Sequence, residues 1–221
     1  MTLLEFWTIC SSNNIVLDKE QMKMIERYAD EIKYWNNNVN LISRQEEDQI
    51  LEKHILHSLV ILKYVDIKHK ARCIDIGTGA GLPGIPLKIA RNDLEMLLID
   101  SIQKKIKITS MFAKHTGLKK IDAVSIRAED LANQNKYHNY YDFVFARAVK
   151  KILTVLNWVK PLLNKEGLIV FLKGGNLNDE IEEAKKYYPD LSVNEINIKI
   201  NGYQWFEENE KKIVICSGFR L

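Results

Sequence analysis

Between Arg72 and Ala90 the chain reads RCIDI, then GTGAGLPG, then IPLKIA: a short apolar run, four glycines within eight residues, and a second apolar run at helical spacing. A strand that ends on such glycines and feeds a helix is the opening unit of an open α/β sheet. The glycines let the backbone turn tightly and approach a ligand with no Cβ in the way. Pro83 and Pro86 suit the first helical turn, where a missing N–H costs little. The helix therefore starts beyond the glycines rather than being broken by them.

The alternation continues. Further candidate strands are EMLLID, IDAVSI, DFVFAR, GLIVFLKG, LSVNEINIKI and KKIVICSGF, and the first four crossovers after the glycine helix are IQKKIKITSMFAKHTG, RAEDLAN, KKILTVLNWVKPLLNKEG and NDEIEEAKKYY. Strands alternating with helices at this spacing predict a mostly parallel sheet of seven strands, covered on both faces. Little helix separates the last two strands, so they are expected to form an antiparallel hairpin at a sheet edge. Before residue 69 the pattern is helical. Asp18 ahead of Glu20–Gln21 reads as an N-cap, Asn36 to Asn38 as a stop, and QEEDQILEKHILHSLVILKYV as a second helix. Residues 1–68 are expected to be a helical extension packed on a core of residues 69–221, the two forming one compact unit.

The 221 residues have a net charge of only +3, but residues 61–120 carry 12 basic and 5 acidic side chains. The excess surrounds the glycine stretch and the helix that follows the second strand. It suits a polyanion on that face, or equally a lysine-rich solvated helix. Lys104, Lys105 and Lys107, with Lys88 and Arg91, form the expected basic rim. Three widely spaced cysteines, Cys10, Cys73 and Cys216, show no CxxC pair, which points to a reducing cytoplasm and away from disulfides or zinc. No apolar run reaches the roughly 20 residues of a membrane span.

Three nucleotide-type readings compete for the loop. A P-loop needs Gly-Lys-Ser/Thr, where this chain has Gly-Ile-Pro. A dinucleotide fingerprint GxGxxG fits Gly79, Gly81 and Gly84, with Asp100 as ribose partner and a nicotinamide oxidoreductase as the consequence. The third reading uses the acid before the glycines, Asp75-x-Gly77-x-Gly79-x-Gly81, together with the acid that ends LLID. That constellation resembles motif I of the S-adenosylmethionine-dependent methyltransferases, and a ribose diol asks for a carboxylate such as Asp100.

WNNNVNLIS, KHILHSL, DIGTGAGLPGIPLKIA, LIDSIQKK, RAED, DFVFARAV and LKGG follow one another in the order found in the bacterial ribosomal small subunit methyltransferase G family, also called glucose-inhibited division protein B. The chain resembles that family over most of its length. The resemblance implies a Rossmann-like class I methyltransferase fold, S-adenosylmethionine as cofactor, and methylation of guanine N7 in 16S ribosomal RNA. It implies cofactor contacts at Gly77, Gly79, Gly81, Leu82, Asp100, Ala128, Glu129 and Arg147. Arg147 has a local alternative, a salt bridge to Asp142 or a neighbouring carboxylate. Lys104, Lys105, Arg147 and Lys173 are candidate RNA contacts, with 16S ribosomal RNA or the small subunit as the partner of a monomer. A non-catalytic RNA-binding or assembly protein is the other alternative.

Two departures stand out. The family pattern has an acid where KHILHSL has His57, and its DSLGKR appears as DSIQKK, which keeps two cations but exchanges arginine for lysine. His54 and His57 lie three apart on one helix, yet with no further ligand nearby they read as packing or hydrogen-bonding groups and no metal is expected. Tyr34, Trp35 and Trp158 read as core or helix-packing aromatics. Guanine N7 carries a lone pair and no proton, so no general acid or base is expected and no catalytic residue is named.

Overall fold

Alternation along each strand sorts the side chains onto two faces, and both faces are apolar enough to demand a cover. In the computed structural model, which describes residues 1–218, the strands are β1 (Arg72–Ile76), β2 (Glu95–Asp100), β3 (Ile121–Ser125), β4 (Tyr141–Arg147), β5 (Leu163–Gly174), β6 (Ser192–Asn197) and β7 (Lys211–Ser217). They form one seven-stranded sheet in the order β3-β2-β1-β4-β5-β7-β6. β3 to β5 pair in parallel through β2, β1 and β4, whereas β7 runs antiparallel to both β5 and β6. The expected edge hairpin is present, with its second strand turned inward against β5.

On one face Ile74, Ile76, Val144, Ala146, Ile169 and Phe171 pack with α7 (Ala128–Ala132), α8 (Ile152–Val159) and α9 (Asn178–Tyr187). On the other, Cys73, Phe143, Phe145, Val170 and Leu172 join a core that also holds Phe6, Ile25, Ile32, Ile55 and Leu56. Those five residues belong to α1 (Leu3–Ser12), α2 (Lys19–Asn36) and the turn that follows them. The N-terminal helices thus cover the sheet beside α5 (Gly84–Ala90) and α6 (Gln103–His115).

Local chemistry sets the bounds of α2. Asp18 accepts from Gln21 N while the Gln21 side chain accepts from Asp18 N, a closed capping box. At the other end buried Asn36 stops the helix: its Oδ1 accepts from Leu41 N at 2.8 Å and Ile42 N at 2.9 Å, and its Nδ2 donates to Glu47 at 2.6 Å. The second expected helix is not continuous. Residues Arg44–Gln49 form a 3₁₀ segment and Leu51–Leu56 a π-helical turn, followed by short α3 (His57–Leu59) and α4 (Ile61–Tyr64). A π turn offers carbonyls at a pitch the ordinary helix does not, and this one is used by the site. A last short helix, α10 (Trp205–Glu208), precedes β7.

Two members of the expected basic rim are structural instead. Lys88 is 1% exposed, and its ammonium donates to Asn92 O and Leu94 O at 2.6 and 2.5 Å. Arg91 is paired with Asp93 at 2.8 Å and donates to Ile67 O. Tyr34 also departs from its expected core position: it is exposed, edge-on to Trp35. Replacing Asn36 by Ala would strand the Leu41 and Ile42 N–H groups in a buried turn, and is expected to lower stability by about 1–3 kcal/mol in urea unfolding.

Candidate active site

The sheet order reverses between β1 and β4, and a crevice opens there beyond the strand ends. Period two puts Asp75 on the face covered by α5 and the N-terminal helices, where it is wholly buried. Its Oδ2 accepts from Thr78 Oγ1 at 2.6 Å and from Gly84 N at 2.9 Å, closing the loop onto the first turn of α5. Oδ1 has no partner, and burial pushes the carboxyl up to about 7 against the lowering effect of those two hydrogen bonds. Asp75 is the clasp of the loop.

Above it Gly77 and Gly79 adopt φ of +64° and +57°, the left-handed region that glycine tolerates. A Cβ on Gly77 would stand 2.8 Å from Val149 Cγ2, whereas one on Gly79 would meet nothing nearer than Gly77 O at 4.0 Å. The crest of the loop is therefore open on the ligand side. Three neighbours hold it: Thr109 Oγ1 donates to Gly79 O at 2.6 Å, Tyr28 Oη donates to Ala80 O at 3.0 Å, and Gly79 N donates to Asp100 Oδ2 at 3.0 Å. Leu82 is buried and its N–H closes a turn on Thr78 O.

Asp100 ends β2, with Oδ1 accepting from Ile102 N at 2.9 Å. Two of the four lone-pair positions of its carboxylate are used, which leaves room for a diol. Ile126 N donates to Asp100 O at 3.1 Å and so brings the start of α7, with Ala128 and Glu129, beside the same strand end. The loop glycines, Asp100 and Ala128–Glu129 thus line one side of the crevice.

Arg147 ends β4 on the face of the N-terminal helices. Its guanidinium donates to His54 O at 3.2 Å, Lys53 O at 3.3 Å and His54 Nδ1 at 2.6 Å. An arginine only donates, so Nδ1 accepts and the proton of His54 sits on Nε2, 3.2 Å from Glu46 Oε2. Burial, then Arg147 and Lys53, push His54 down to about 3, so it stays neutral. Burial also lowers Arg147, to about 10, which leaves it charged at neutral pH. The expected salt bridge to Asp142 does not form: Asp142 pairs with Lys68 at 2.8 Å and accepts from Asn164.

Past Arg147 the chain turns at Ala148, φ +52°, and Val149 comes to rest on Gly77. Val149 also lines a cleft of about 470 Å³ at the ends of β4 and β5, bordered by Lys53, His57, Lys173, Trp205 and Lys211. Because β7 is antiparallel to β5, its first residue lies opposite Gly174, and α10 just before it delivers Trp205 to the cleft. Lys173 is held there by Glu180 at 2.5 Å and Lys150 O at 2.9 Å, so it is a paired cation rather than a solvated loop lysine.

A model of the family described as rRNA small subunit methyltransferase G matches residues 21–209. The chain belongs to that family. It is 38% identical to the ribosomal RNA small subunit methyltransferase G of Chlorobium phaeobacteroides over 82% of this chain and 80% of that one. The enzyme of the same name from Desulfitobacterium hafniense is also 38% identical, over 85% of this chain and 77% of that one. Among solved structures, a SAM-dependent methyltransferase from Aquifex aeolicus superposes with a TM-score of 0.54 at 15% identity, covering 74% of this chain and 89% of that one. The precorrin-6y C5,15-methyltransferase from Geobacter metallireducens gives 0.52 at 16% identity, covering 80% and 90%. These likenesses show the fold, a class I methyltransferase sheet. The inward, antiparallel β7 separates it from the wholly parallel dinucleotide-binding order, so the oxidoreductase reading falls.

For this member of the methyltransferase G family, the sequence pattern places the loop glycines, Asp100 and Ala128–Glu129 around one crevice, while Arg147 and Lys173 border the adjoining cleft. Lys104 and Lys105 lie apart from both, on the first turn of α6, where Lys104 Nζ donates to Asn38 O at 3.3 Å. The pattern does not reveal Tyr28, Trp205 and Lys211, which reach the site only through helix packing and the strand order. No His/Cys/Asp/Glu group suited to a metal occurs among the described residues.

Gly77→Val brings a strained left-handed backbone, costing about 1–2 kcal/mol, and a clash with Val149. Calorimetry is expected to show cofactor binding lost while circular dichroism shows a retained fold. Asp75 makes a separate pH signature. Its folded-state pKa of about 7 exceeds the unfolded value of 3.8, so its contribution to stability is complete below about pH 4 and is lost as the pH rises through 7. Asp75→Asn is expected to flatten the fall of unfolding free energy over that window.

Proposed function

We propose that this protein transfers a methyl group from S-adenosylmethionine to N7 of a specific guanine in 16S ribosomal RNA. The observation that carries the reading is the Asp100 carboxylate, bonded to the crest of an open glycine loop at the strand-order reversal, in a chain of this family. The residues fit the cofactor. Gly77, Gly79, Gly81 and Leu82 form the wall along its methionine part, Asp100 receives the ribose hydroxyls, and Ala128–Glu129 meet the adenine edge. S-adenosylmethionine supplies an electrophilic methyl group on a sulfonium sulfur.

The chain's part is alignment. Guanine N7 presents an in-plane lone pair and no proton, so no side chain has to take one, and the gain comes from holding nucleophile and methyl in line. The absence of a poised base near Val149 agrees with this: His54 is neutral, with its acceptor nitrogen occupied by Arg147. Three of the five N–H donors of Arg147 are committed to Lys53 and His54. The remaining two serve the cofactor or an RNA phosphate rather than the ring, which becomes cationic on methylation. The partner is the small ribosomal subunit or its RNA, met by a monomer in the cytoplasm; no described helix is long and apolar enough to cross a membrane.

N7-methylguanine mapped in 16S ribosomal RNA from cells with and without the protein tests the reading. The modification is expected to disappear at one site when the protein is absent; normal RNA binding without methyl transfer would favour an assembly protein instead. Lys104→Glu with Lys105→Glu is expected to weaken RNA binding and reduce its salt slope, with cofactor affinity retained. Unchanged RNA affinity at low salt would remove these lysines from the interface.

A further inference from the structure

The cleft beside the cofactor loop contains a polar atom that the fold leaves unanswered. His57 is 6% exposed and lines the cleft, and its Nε2 has no hydrogen-bond partner. The ring is bonded to the Lys53 backbone, and since Nε2 is unpartnered that bond runs through Nδ1 to the carbonyl. A carbonyl only accepts, so Nδ1 carries the proton. Burial, with Arg147 and Lys211 nearby, keeps the imidazole neutral. Nε2 is then a bare lone pair, an acceptor waiting for a donor.

Its surroundings say which donor. The cleft is bordered by the cations Lys53, Arg147, Lys173 and Lys211, which suit phosphate oxygens and a carbonyl such as guanine O6. Glu46, the carboxylate in the same cleft, is already faced by His54 Nε2 at 3.2 Å and Lys53 Nζ at 3.8 Å. His57 Nε2 is the acceptor left over. A buried acceptor without a partner is costly, and one that persists at a binding site marks where a ligand group completes it.

Val149 fixes the orientation. It rests on Gly77 and lines the cleft, so the cleft begins where the cofactor loop ends. A guanine that turns its N7/O6 edge to the loop turns its N1–H and N2–H₂ edge the other way, across the cleft. Adenine differs at that edge, having a lone pair at N1 and no 2-amino group, so an acceptor there favours guanine. Trp205, whose indole packs edge-on to the His57 ring at 5.9 Å and lines the same cleft, gives the base a surface to stack against.

We propose that His57 Nε2 is a specificity-determining acceptor that reads the N–H edge of the target guanine while N7 faces the cofactor loop. This deepens the methyltransferase reading and rests on it. The test compares kcat/KM for methyl transfer to small ribosomal subunits reconstituted with RNA carrying guanosine or adenosine at the modified position. The full-length wild type, His57→Phe and His57→Gln are assayed. Phenylalanine keeps the ring shape and removes the acceptor; glutamine restores one near Nε2. The wild type is expected to prefer guanosine, His57→Phe to lose at least tenfold of that preference, and His57→Gln to recover most of it, with cofactor affinity by calorimetry the same in all three. An equal fall on both substrates, or an unaltered preference in His57→Phe, would overturn the assignment. Should His57→Phe fail to fold, the wild type with 1-methylguanosine in the RNA decides: undiminished transfer overturns the assignment, and loss supports it. A wild type that methylates no guanine at all would instead overturn the underlying methyltransferase reading.

Discussion

One buried carboxylate organises the site. Asp75 accepts from Thr78 and Gly84 and thereby sets the path of the glycine loop and the start of α5 in a single contact. The helix can approach that closely only because Gly84 lacks a side chain: a Cβ there would stand 2.3 Å from Leu98 Cδ2 and 2.9 Å from Asp75 Oδ2. From the clasp the geometry propagates outward, through Gly79 N to Asp100 and through Ile126 to the start of α7. The raised pKa of Asp75 is the cost of placing this anchor where no water reaches it.

The N-terminal helices are part of that machinery rather than an added cover. Tyr28 holds the far side of the loop through Ala80 O, and Gln21 caps the end of α5 by donating to Ile89 O at 2.9 Å and Ala90 O at 3.1 Å. From the next segment, the π-helical turn presents the carbonyls of Lys53 and His54 to Arg147. Donor and acceptor sides of the site are therefore braced by the same stretch of chain. The bracing fixes the protonation of His54 and holds Arg147 at the seam between crevice and cleft.

Much of the fold was legible in the chain. All seven strand segments and the edge hairpin follow from period-two runs and short connections, and the ends of α2 follow from Asp18 and Asn36. The second N-terminal helix was misread as continuous. Ile50, Leu51, His54, Ile55 and Leu59 fit helical spacing, and a spacing pattern does not register a change of hydrogen-bonding pitch. Lys88 and Arg91 were read as surface cations because their type is usually exposed, whereas the first spans to backbone carbonyls inside the core. For Arg147 the position was right and the partner wrong. Strand parity, with Phe143 and Phe145 on the same face, already aimed it at the N-terminal helices rather than at Asp142.

The sequence by itself determined the sheet, the loop that ends β1, and the acid at the end of β2, because each is written in residues close together and in a repeating period. The family followed from the same local runs. Only the tertiary structure decided what faces the loop. It turned β7 antiparallel beside β5, brought Trp205 and Lys211 to the cleft, and left His57 with one nitrogen unanswered there. Those contacts join segments roughly a hundred or more residues apart, and packing of one surface on another, which no local period encodes, is what sets them.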